Sequence, residues 1–158
     1  MPGVDVLFID TSVLCNLLRV PGRCERAEEM QELFYEHVNN NVNFVLPITS
    51  IIETGNFIQQ CTGDRYAAAN RFRMALEAAA ESSPPWVIHR MNWDEEFITA
   101  LIAGDSTGST LVHHFTNKLL GAGDLSILIE RDLFAASRAV GSVEIWTIDE
   151  KLDSYRRA

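Results

Sequence analysis

The alternation of short apolar segments with longer amphipathic ones constrains the fold of this chain more than any other sequence feature. The first apolar segment, Val4 to Ile9, is nearly continuous, which is typical of a strand buried on both faces of a sheet. Comparable segments are Asn43 to Leu46, Trp86 to Met91 and Val143 to Ile148. Segments with helical spacing separate them, so the sequence predicts an α/β fold whose parallel sheet is covered by helices on both faces.

The intervening segments carry apolar residues at helical spacing and end at turn residues. A short helix is expected after Asp10, through Leu18. The longer predicted helices are Arg23 to Asn39, a segment from Thr49, Asp64 to Glu81, Asp94 to Ala103, Thr110 to Leu120 and Asp124 to Ala139. A last short helix is expected around Leu152 and Tyr155.

The length of 158 residues, with 47% hydrophobic and 22% charged residues, fits a single globular domain over residues 1–158. No basic segment precedes the first apolar run and no run is long enough to span a bilayer, so neither a targeting segment nor a membrane anchor is expected. The three cysteines, Cys15, Cys24 and Cys61, form no C-x-x-C pair. Their odd number favours a reduced, cytoplasmic protein.

The net charge of −9 argues against a general, high-affinity nucleic-acid binder, which normally carries a basic surface. It is compatible with an enzyme whose negative charge is concentrated at a metal site. It equally leaves open a binding module that keeps its acids for capping or for recognition of a partner.

Four acids are expected at one edge of the sheet. Asp10 ends the first strand and Asp149 ends the last. Glu53 lies in the expected first turn of the helix after the second strand, and Asp124 at the start of the helix before the last. Ligands of such sheets bind beyond the carboxyl ends of the strands. Converging carboxylates repel one another unless a cation compensates, and oxygen ligands suit Mg²⁺ or Mn²⁺.

Each of these acids also fits a helix cap. Asp10, Asp149 and Asp124 stand where helices are expected to begin. Ser50 and Glu53 fit the capping box, in which the glutamate reaches back to the cap residue. Capping explains each acid singly, but it does not explain why two strand ends and two helix starts all carry one.

Three hydroxyl residues accompany the acids. Ser12 lies two residues after Asp10, Ser126 two after Asp124, and Thr147 two before the last acid of the set. Such hydroxyls could orient carboxylates or hold a metal-bound water. Ordinary cap and strand-end positions are the alternative interpretation.

The order of these motifs resembles that of PIN-domain nucleases. The matching segments are VLFIDTSVLCNLL, ITSIIETGNFI, GAGDLSILIE and VEIWTIDEKL. The resemblance extends from Val4 to about Tyr155 and implies a three-layer α/β/α PIN-like fold with a central, mainly parallel sheet of four to five strands. It gives the catalytic, metal-binding role to four acids: Asp10, Glu53, Asp124 and Asp149. Ser12 and Thr147 carry over as supporting hydroxyls.

The resemblance further implies a Mg²⁺- or Mn²⁺-dependent endoribonuclease that hydrolyses RNA phosphodiester bonds. The VapC toxins of bacterial toxin–antitoxin pairs are the best-known similar proteins, which suggests a homodimer and an antitoxin partner. The chain departs from compact toxins in an extended stretch between Trp86 and Gly123 and in its acidity. A catalytically weak or inactive PIN-like binding or regulatory module is therefore the alternative.

Two alternative sites, a phosphatase site and a histidine metal site, fit the sequence less well than the four acids do. A phosphoaspartyl phosphatase also places an aspartate at the end of its first strand, but its D-x-D motif needs an acid where Ser12 stands. The adjacent His113 and His114 point to different sides of a helix and make a poor metal pair.

Arginines near the first motif are candidates for phosphate contacts. Arg19, Arg23 and Arg26 flank the loop after that motif. Solvated surface charge is the ordinary interpretation of such residues.

Overall fold

The computed structural model describes residues 4–137 and 141–156. Within these residues the sheet has three parallel strands, in the order β2-β1-β3. They are β1 (Val4–Ile9), β2 (Asn43–Val45) and β3 (Ser142–Trp146). Leu7 of the central strand β1 pairs with Phe44 on one side and with Glu144 on the other. The predicted α/β class and the parallel sheet are confirmed.

Eight α-helices occur in the described part of the chain. They are α1 (Thr11–Leu17), α2 (Ala27–Asn39), α3 (Ile48–Gln60), α4 (Arg65–Glu81), α5 (Glu95–Ala103), α6 (Leu111–Thr116), α7 (Ala122–Ser137) and α8 (Glu150–Asp153). A 3₁₀ turn, Asp105–Thr107, lies between α5 and α6. None of the helices in the described ranges is long and apolar enough to cross a membrane.

Alternate side chains of β1 enter two separate hydrophobic cores, because successive residues of a strand point to opposite faces of its sheet. Leu7 and Ile9 pack into a cluster with residues of α1, α2, α3 and α4. Val6 and Phe8 pack on the other face, against α7 and α8. Both faces of the sheet are therefore covered by helices, as the sequence predicts for a strand that is apolar throughout.

Helix α7 is enclosed by protein on two sides. Its residues from Leu125 to Arg131 are all buried. On the side away from the sheet, Ile129 packs against Phe97 and Ala100 of α5. This packing fixes the position of the first turn of α7, which carries Asp124.

The predicted strand Trp86 to Met91 is wrong. Trp86 forms a single bridge with Phe44, and the N–H of Val87 donates to the Phe44 carbonyl over 2.9 Å. Strand β2 ends soon afterwards, because Pro47 precedes the first residue of α3 and has no N–H to continue a ladder. Among the described residues, the chain beyond Val87 pairs with no strand. The described residues therefore form three strands instead of the expected four to five.

Several helix ends also differ from the prediction. The second helix begins at Ala27 instead of Arg23. The sixth ends at Thr116, before Lys118, whose φ of 52° interrupts a right-handed helix. Helix α7 begins two residues before Asp124, at Ala122, and its expected end at Ala139 lies outside the described residues.

Candidate metal centre

Asp10 is buried at the end of β1, with 3% of its surface exposed, and it caps α1. Its Oδ2 accepts hydrogen bonds from the Ser12 hydroxyl at 2.6 Å, the Thr147 hydroxyl at 2.8 Å and the Ser12 N–H at 3.4 Å. Within the described part of the chain, Oδ1 accepts none. The capping interpretation is therefore correct for Asp10, and it leaves one carboxylate oxygen for another ligand.

The two hydroxyls that contact Asp10 also join the ends of β1 and β3. Ser12 Oγ lies 3.3 Å from Thr147 Oγ1. Ser12 Oγ accepts from the N–H of Ile148 at 3.3 Å, and Thr147 Oγ1 accepts from the N–H of Asp149 at 3.0 Å. This network fixes the backbone around Asp149 relative to Asp10.

Ser126, the third of the expected supporting hydroxyls, is buried within α7. Across residues 4–137 and 141–156 its side chain makes no hydrogen bond with the four acids. Its neighbour two residues earlier, Asp124, is the acid that α7 presents to the site.

Glu53 lies in the second turn of α3, one turn later than predicted, because that helix begins at Ile48. The capping-box interpretation is wrong: the cap position is Pro47, and the Ser50 hydroxyl donates to the Ile9 carbonyl at 2.8 Å. Glu53 Oε1 instead accepts a hydrogen bond from Thr11 Oγ1 at 2.7 Å.

Gly123 allows Glu53 to approach the first turn of α7. A Cβ built on Gly123 would stand 2.9 Å from Glu53 Oε2. The carboxylate thus occupies the space that any other residue at position 123 would fill. This contact places the Glu53 carboxylate beside position 123, the neighbour of Asp124 in α7.

Asp124 lies in the first turn of α7 and is half-buried, so its interpretation as a plain N-cap is wrong. Burial raises the pKa of its carboxyl from 3.8 to about 7, with further contributions from the negative charges of Asp10, Asp149 and Glu53. The four acids therefore interact electrostatically. At neutral pH without a cation, Asp124 holds its proton for much of the time.

Asp149 follows β3 and caps α8, as its alternative interpretation predicts. Its Oδ1 accepts from the N–H groups of Lys151 at 2.9 Å and Leu152 at 3.4 Å. The residue is exposed, in contrast to the buried Asp10. The site therefore extends from the buried Asp10 at the end of the central strand to the exposed Asp149 at the surface.

All four acids line one open cleft with a volume of about 420 Å³. Asp124 and Asp149 also line a second cleft of about 420 Å³, which contains Lys118 and Lys151. These two acids consequently stand between the clefts. The sequence-based prediction placed the four acids at one edge of the sheet, and the structure gathers them there.

The donor set suits Mg²⁺ or Mn²⁺, since it consists of carboxylate oxygens. Burial, and then repulsion by the other three acids, raises the pKa of Asp124. Among the described residues, however, no three acidic, histidine or cysteine side chains already stand close enough to hold a cation together. Asp10, Glu53 and Asp149 each point one oxygen at a protein donor. Binding a cation would require the carboxylates to move closer together.

Three neighbours of the acids were not singled out from the sequence. Thr11 donates to Glu53, Asn16 lines the cleft, and Phe57 lies under the guanidinium of Arg23. Thr11 could have been identified as the middle residue of the Asp-Thr-Ser motif. Nothing in the sequence pattern distinguishes Phe57 from an ordinary core residue of α3.

The adjacent histidines bond to residues other than the four acids. The Nε2 of the buried His114 bonds to Thr107 at 2.8 Å, whereas exposed His113 bonds to Asn117, so the two do not form a metal pair. The three cysteines are free thiols. Burial raises the pKa of Cys15, so the thiol at the cleft wall stays protonated at neutral pH.

No protein-family model, curated protein or solved structure matches this chain. Its function is therefore inferred from the chemistry of the four-acid cleft.

Proposed function

We propose that the chain is a Mg²⁺- or Mn²⁺-dependent ribonuclease that hydrolyses RNA phosphodiester bonds, similar to PIN-domain nucleases. The observation that carries the proposal is that acids from four separate elements line one cleft at the carboxyl edge of the sheet. They are Asp10, Glu53, Asp124 and Asp149. Four separate capping roles would not require these side chains to share a cleft.

The buried Asp10 is the best-oriented acid for a cation. Three hydrogen bonds from Ser12 and Thr147 hold its Oδ2, so its Oδ1 is directed by groups that are themselves fixed. A bound divalent ion would polarise the scissile phosphate and lower the pKa of an attacking water. Ser12 and Thr147 act in this scheme as positioning residues that restrict the orientation of Asp10.

In this scheme Asp124 is a second ligand of the cation, and its carboxyl gains or loses a proton near neutral pH. Its pKa of about 7 reflects burial and three neighbouring acids, and a divalent ion would favour its ionised form. Binding of the ion at neutral pH would therefore release a proton from this carboxyl. Glu53, held by Thr11 beside Gly123, completes the inner wall of the site.

The resemblance to VapC toxins extends the proposal to a biological role. The chain would be the toxin of a toxin–antitoxin pair in the cytoplasm, act as a homodimer and be inhibited by an antitoxin. The acids of the cleft support the proposed hydrolysis, whereas the proposed partners rest on the resemblance.

A binding or regulatory module without catalysis is the second candidate. Two observations favour it: the net charge of −9, and the lack of a ready three-residue cation site among the described residues. In this case the acids would serve as caps and as a recognition surface. A module of this kind gains no stability from Mn²⁺.

The proposal is tested by incubating labelled single-stranded and hairpin RNAs with wild type and with Asp10→Asn/Asp124→Asn in Mn²⁺, Mg²⁺ or EDTA. Metal-dependent cleavage by the wild type alone is expected. Circular dichroism confirms that the variant is folded. Equal cleavage by the double variant, or a folded wild type that cuts no RNA and whose melting temperature does not respond to Mn²⁺, would reject the proposal in favour of the binding module.

A further inference from the structure

The guanidinium of Arg23 lies across the aromatic ring of Phe57, at the wall of the acidic cleft. Its Cζ is 3.4 Å from the ring centroid, a close cation–π contact. Both residues line the same cleft as the four acids. A guanidinium on a ring face keeps its N–H groups free at its edge, so it can still bind a phosphate.

The loop that carries Arg23 is fixed at its start by a tight turn. Pro21 and Gly22 occupy its centre, Gly22 has a φ of 83°, and the N–H of Arg23 donates to the Val20 carbonyl at 2.9 Å. Pro21 packs so closely on Gly63 that a Cβ there would be 2.6 Å from Pro21 Cβ. The backbone of Arg23 is thus held against the start of α4.

The same loop is fixed at its end by Asn16, a buried residue of α1. The Asn16 side chain donates to the Ser12 carbonyl at 2.8 Å and accepts from the N–H of Arg26 at 2.8 Å. Ser12 is the residue that orients Asp10. Arg23 is therefore positioned relative to the acids by a short chain of direct contacts.

Arg23 differs from Arg26 and Arg73 in having no anionic partner among the described residues. Arg26 makes a two-bond pair with Glu29, and Arg73 pairs with Glu77. In residues 4–137 and 141–156, no carboxylate or carbonyl accepts a hydrogen bond from the Arg23 side chain. Its charge is held in place and is available to an anion from solution.

A second cationic group stands on the far side of Asp124 and Asp149. Lys118 and Lys151 line the second cleft, which these two acids share with the first. Lys151 Nζ donates to the Lys118 carbonyl at 3.0 Å and thereby supports the turn at Lys118. Cations thus flank the acids in both directions, although the chain as a whole is acidic.

We propose that one RNA single strand crosses the acids, with one phosphate bound by Arg23 on Phe57 and a second by Lys118. The inference rests on the proposed nuclease function and deepens it. A strand that continues on both sides of Asp124 and Asp149 places an internal phosphodiester bond at the acids. The geometry therefore assigns the phosphate contacts on the two sides of these acids to Arg23 and Lys118.

A single strand suits the chemistry of the wall. Binding of single strands combines phosphate contacts with stacking of bases on aromatic or guanidinium planes. The outer face of the Arg23 guanidinium offers such a plane.

The test is equilibrium binding of a short fluorescent single-stranded RNA, measured by anisotropy in EDTA so that no cleavage occurs. Arg23→Ala and Lys118→Ala are compared with Arg73→Ala, which removes the same charge outside both clefts. Each of the first two is expected to weaken binding about tenfold, the effect of one lost phosphate or stacking contact. Each should also reduce the slope of log affinity against log salt by about 0.7.

Two further variants separate charge from stacking. Arg23→Lys should keep the salt slope but bind more weakly, because a lysine has no planar group to stack. Phe57→Leu keeps an apolar side chain under Arg23 and should weaken binding by releasing the guanidinium. Circular dichroism verifies that both are folded.

The binding assay decides the inference independently of hydrolysis. Arg23-dependent and Lys118-dependent binding without any cleavage by wild type would support the strand path and reject the nuclease. Absence of RNA binding by wild type, equal affinities for Arg23→Ala and Arg73→Ala, or tighter binding of a duplex than of a single strand would overturn the strand path.

Discussion

The carboxylate of Glu53 occupies the space next to Gly123 that a side chain at position 123 would need. The distance from Glu53 Oε2 to an ideal Cβ at Gly123 is 2.9 Å, shorter than real Cβ contacts. The acid is the flexible end of a long side chain, so it would move and the helix would not. Metal binding and stability should therefore respond differently to a substitution at this glycine.

Gly123→Ala is expected to leave the free energy of unfolding unchanged or to raise it by up to about 1 kcal/mol, because alanine favours a helix over glycine. It should weaken the stabilisation by Mn²⁺ and slow RNA cleavage, because Glu53 is displaced. Thermal unfolding with and without Mn²⁺ measures both effects. Gly121→Ala is the matched control, since a Cβ at Gly121 meets no atom within 4 Å. An unchanged Mn²⁺ response in Gly123→Ala would mean that Glu53 is not a ligand.

Thr147→Val tests the orientation of Asp10. The substitution keeps the shape of the side chain but removes the hydroxyl that donates to Asp10 at 2.8 Å and accepts from the N–H of Asp149. We expect the apparent Mn²⁺ affinity to fall about 10- to 100-fold, as when an outer hydrogen-bond partner of a ligand is lost. A Mn²⁺ titration of the melting temperature provides the measurement. Thr116→Val, at an exposed position of α6, should leave the affinity unchanged.

The pH dependence of stability in EDTA tests the environment of Asp124. Its pKa is about 7 in the folded chain and 3.8 ordinarily, so the folded state holds a proton that the unfolded state has lost in this window. Its contribution to stability is full below about pH 4 and is lost as the pH rises through 7. Asp124→Asn removes the titrating group and should unfold at a higher temperature than wild type at pH 8 without metal. The order should reverse when Mn²⁺ is added, since the asparagine is a poorer ligand.

Glu130 provides a second, independent pH effect outside the acidic cleft. It is 2% exposed, lies 3.6 Å from His89 Nε2 and has a pKa raised from 4.5 to about 7, mainly by burial. The stability that it contributes is therefore full below about pH 4.5 and is lost as the pH rises through 7. Glu130→Gln should flatten the decline of melting temperature between pH 5 and pH 8 without altering the Mn²⁺ response. A lower melting temperature than wild type at pH 8 would show instead that the ionised carboxylate stabilises the fold.

The central strand and its acid were predictable because their signals are local. Val4–Ile9 has the predicted bounds, since a short run that is apolar at nearly every position is typical of a strand covered on both faces. Asp10 follows it directly, and the position of a residue at the end of a central strand is set by that strand alone. The location of this acid at the carboxyl edge follows without knowledge of the rest of the fold.

Features that depend on pairing partners were not predictable in the same way. Trp86 to Met91 has the composition of a strand, yet its pairing stops because β2 is short and Pro47 starts the next helix. The Ser50 and Glu53 spacing matches a capping box, but the Ser50 hydroxyl bonds to a carbonyl of another element. Both errors arise where tertiary contacts override a local pattern.

The walls of the cleft were the least predictable part of the site. Arg23 was one of several arginines near the first motif, and only its position over Phe57 distinguishes it from the others. The two residues come from different elements, so no spacing in the sequence records their contact.

The bond between Thr147 and Asp10 also has a consequence for the time course of synthesis. The two residues are 137 positions apart in the chain, so a ribosome makes the acid long before the hydroxyl that orients it. During that interval the nascent polypeptide contains Asp10 and Glu53 without Thr147 or Asp149. Even with the early helices formed, it would lack a complete ligand set. Under the proposed ribonuclease function, a growing chain would thus be unable to cleave the messenger that encodes it before the last strand of the sheet has been made.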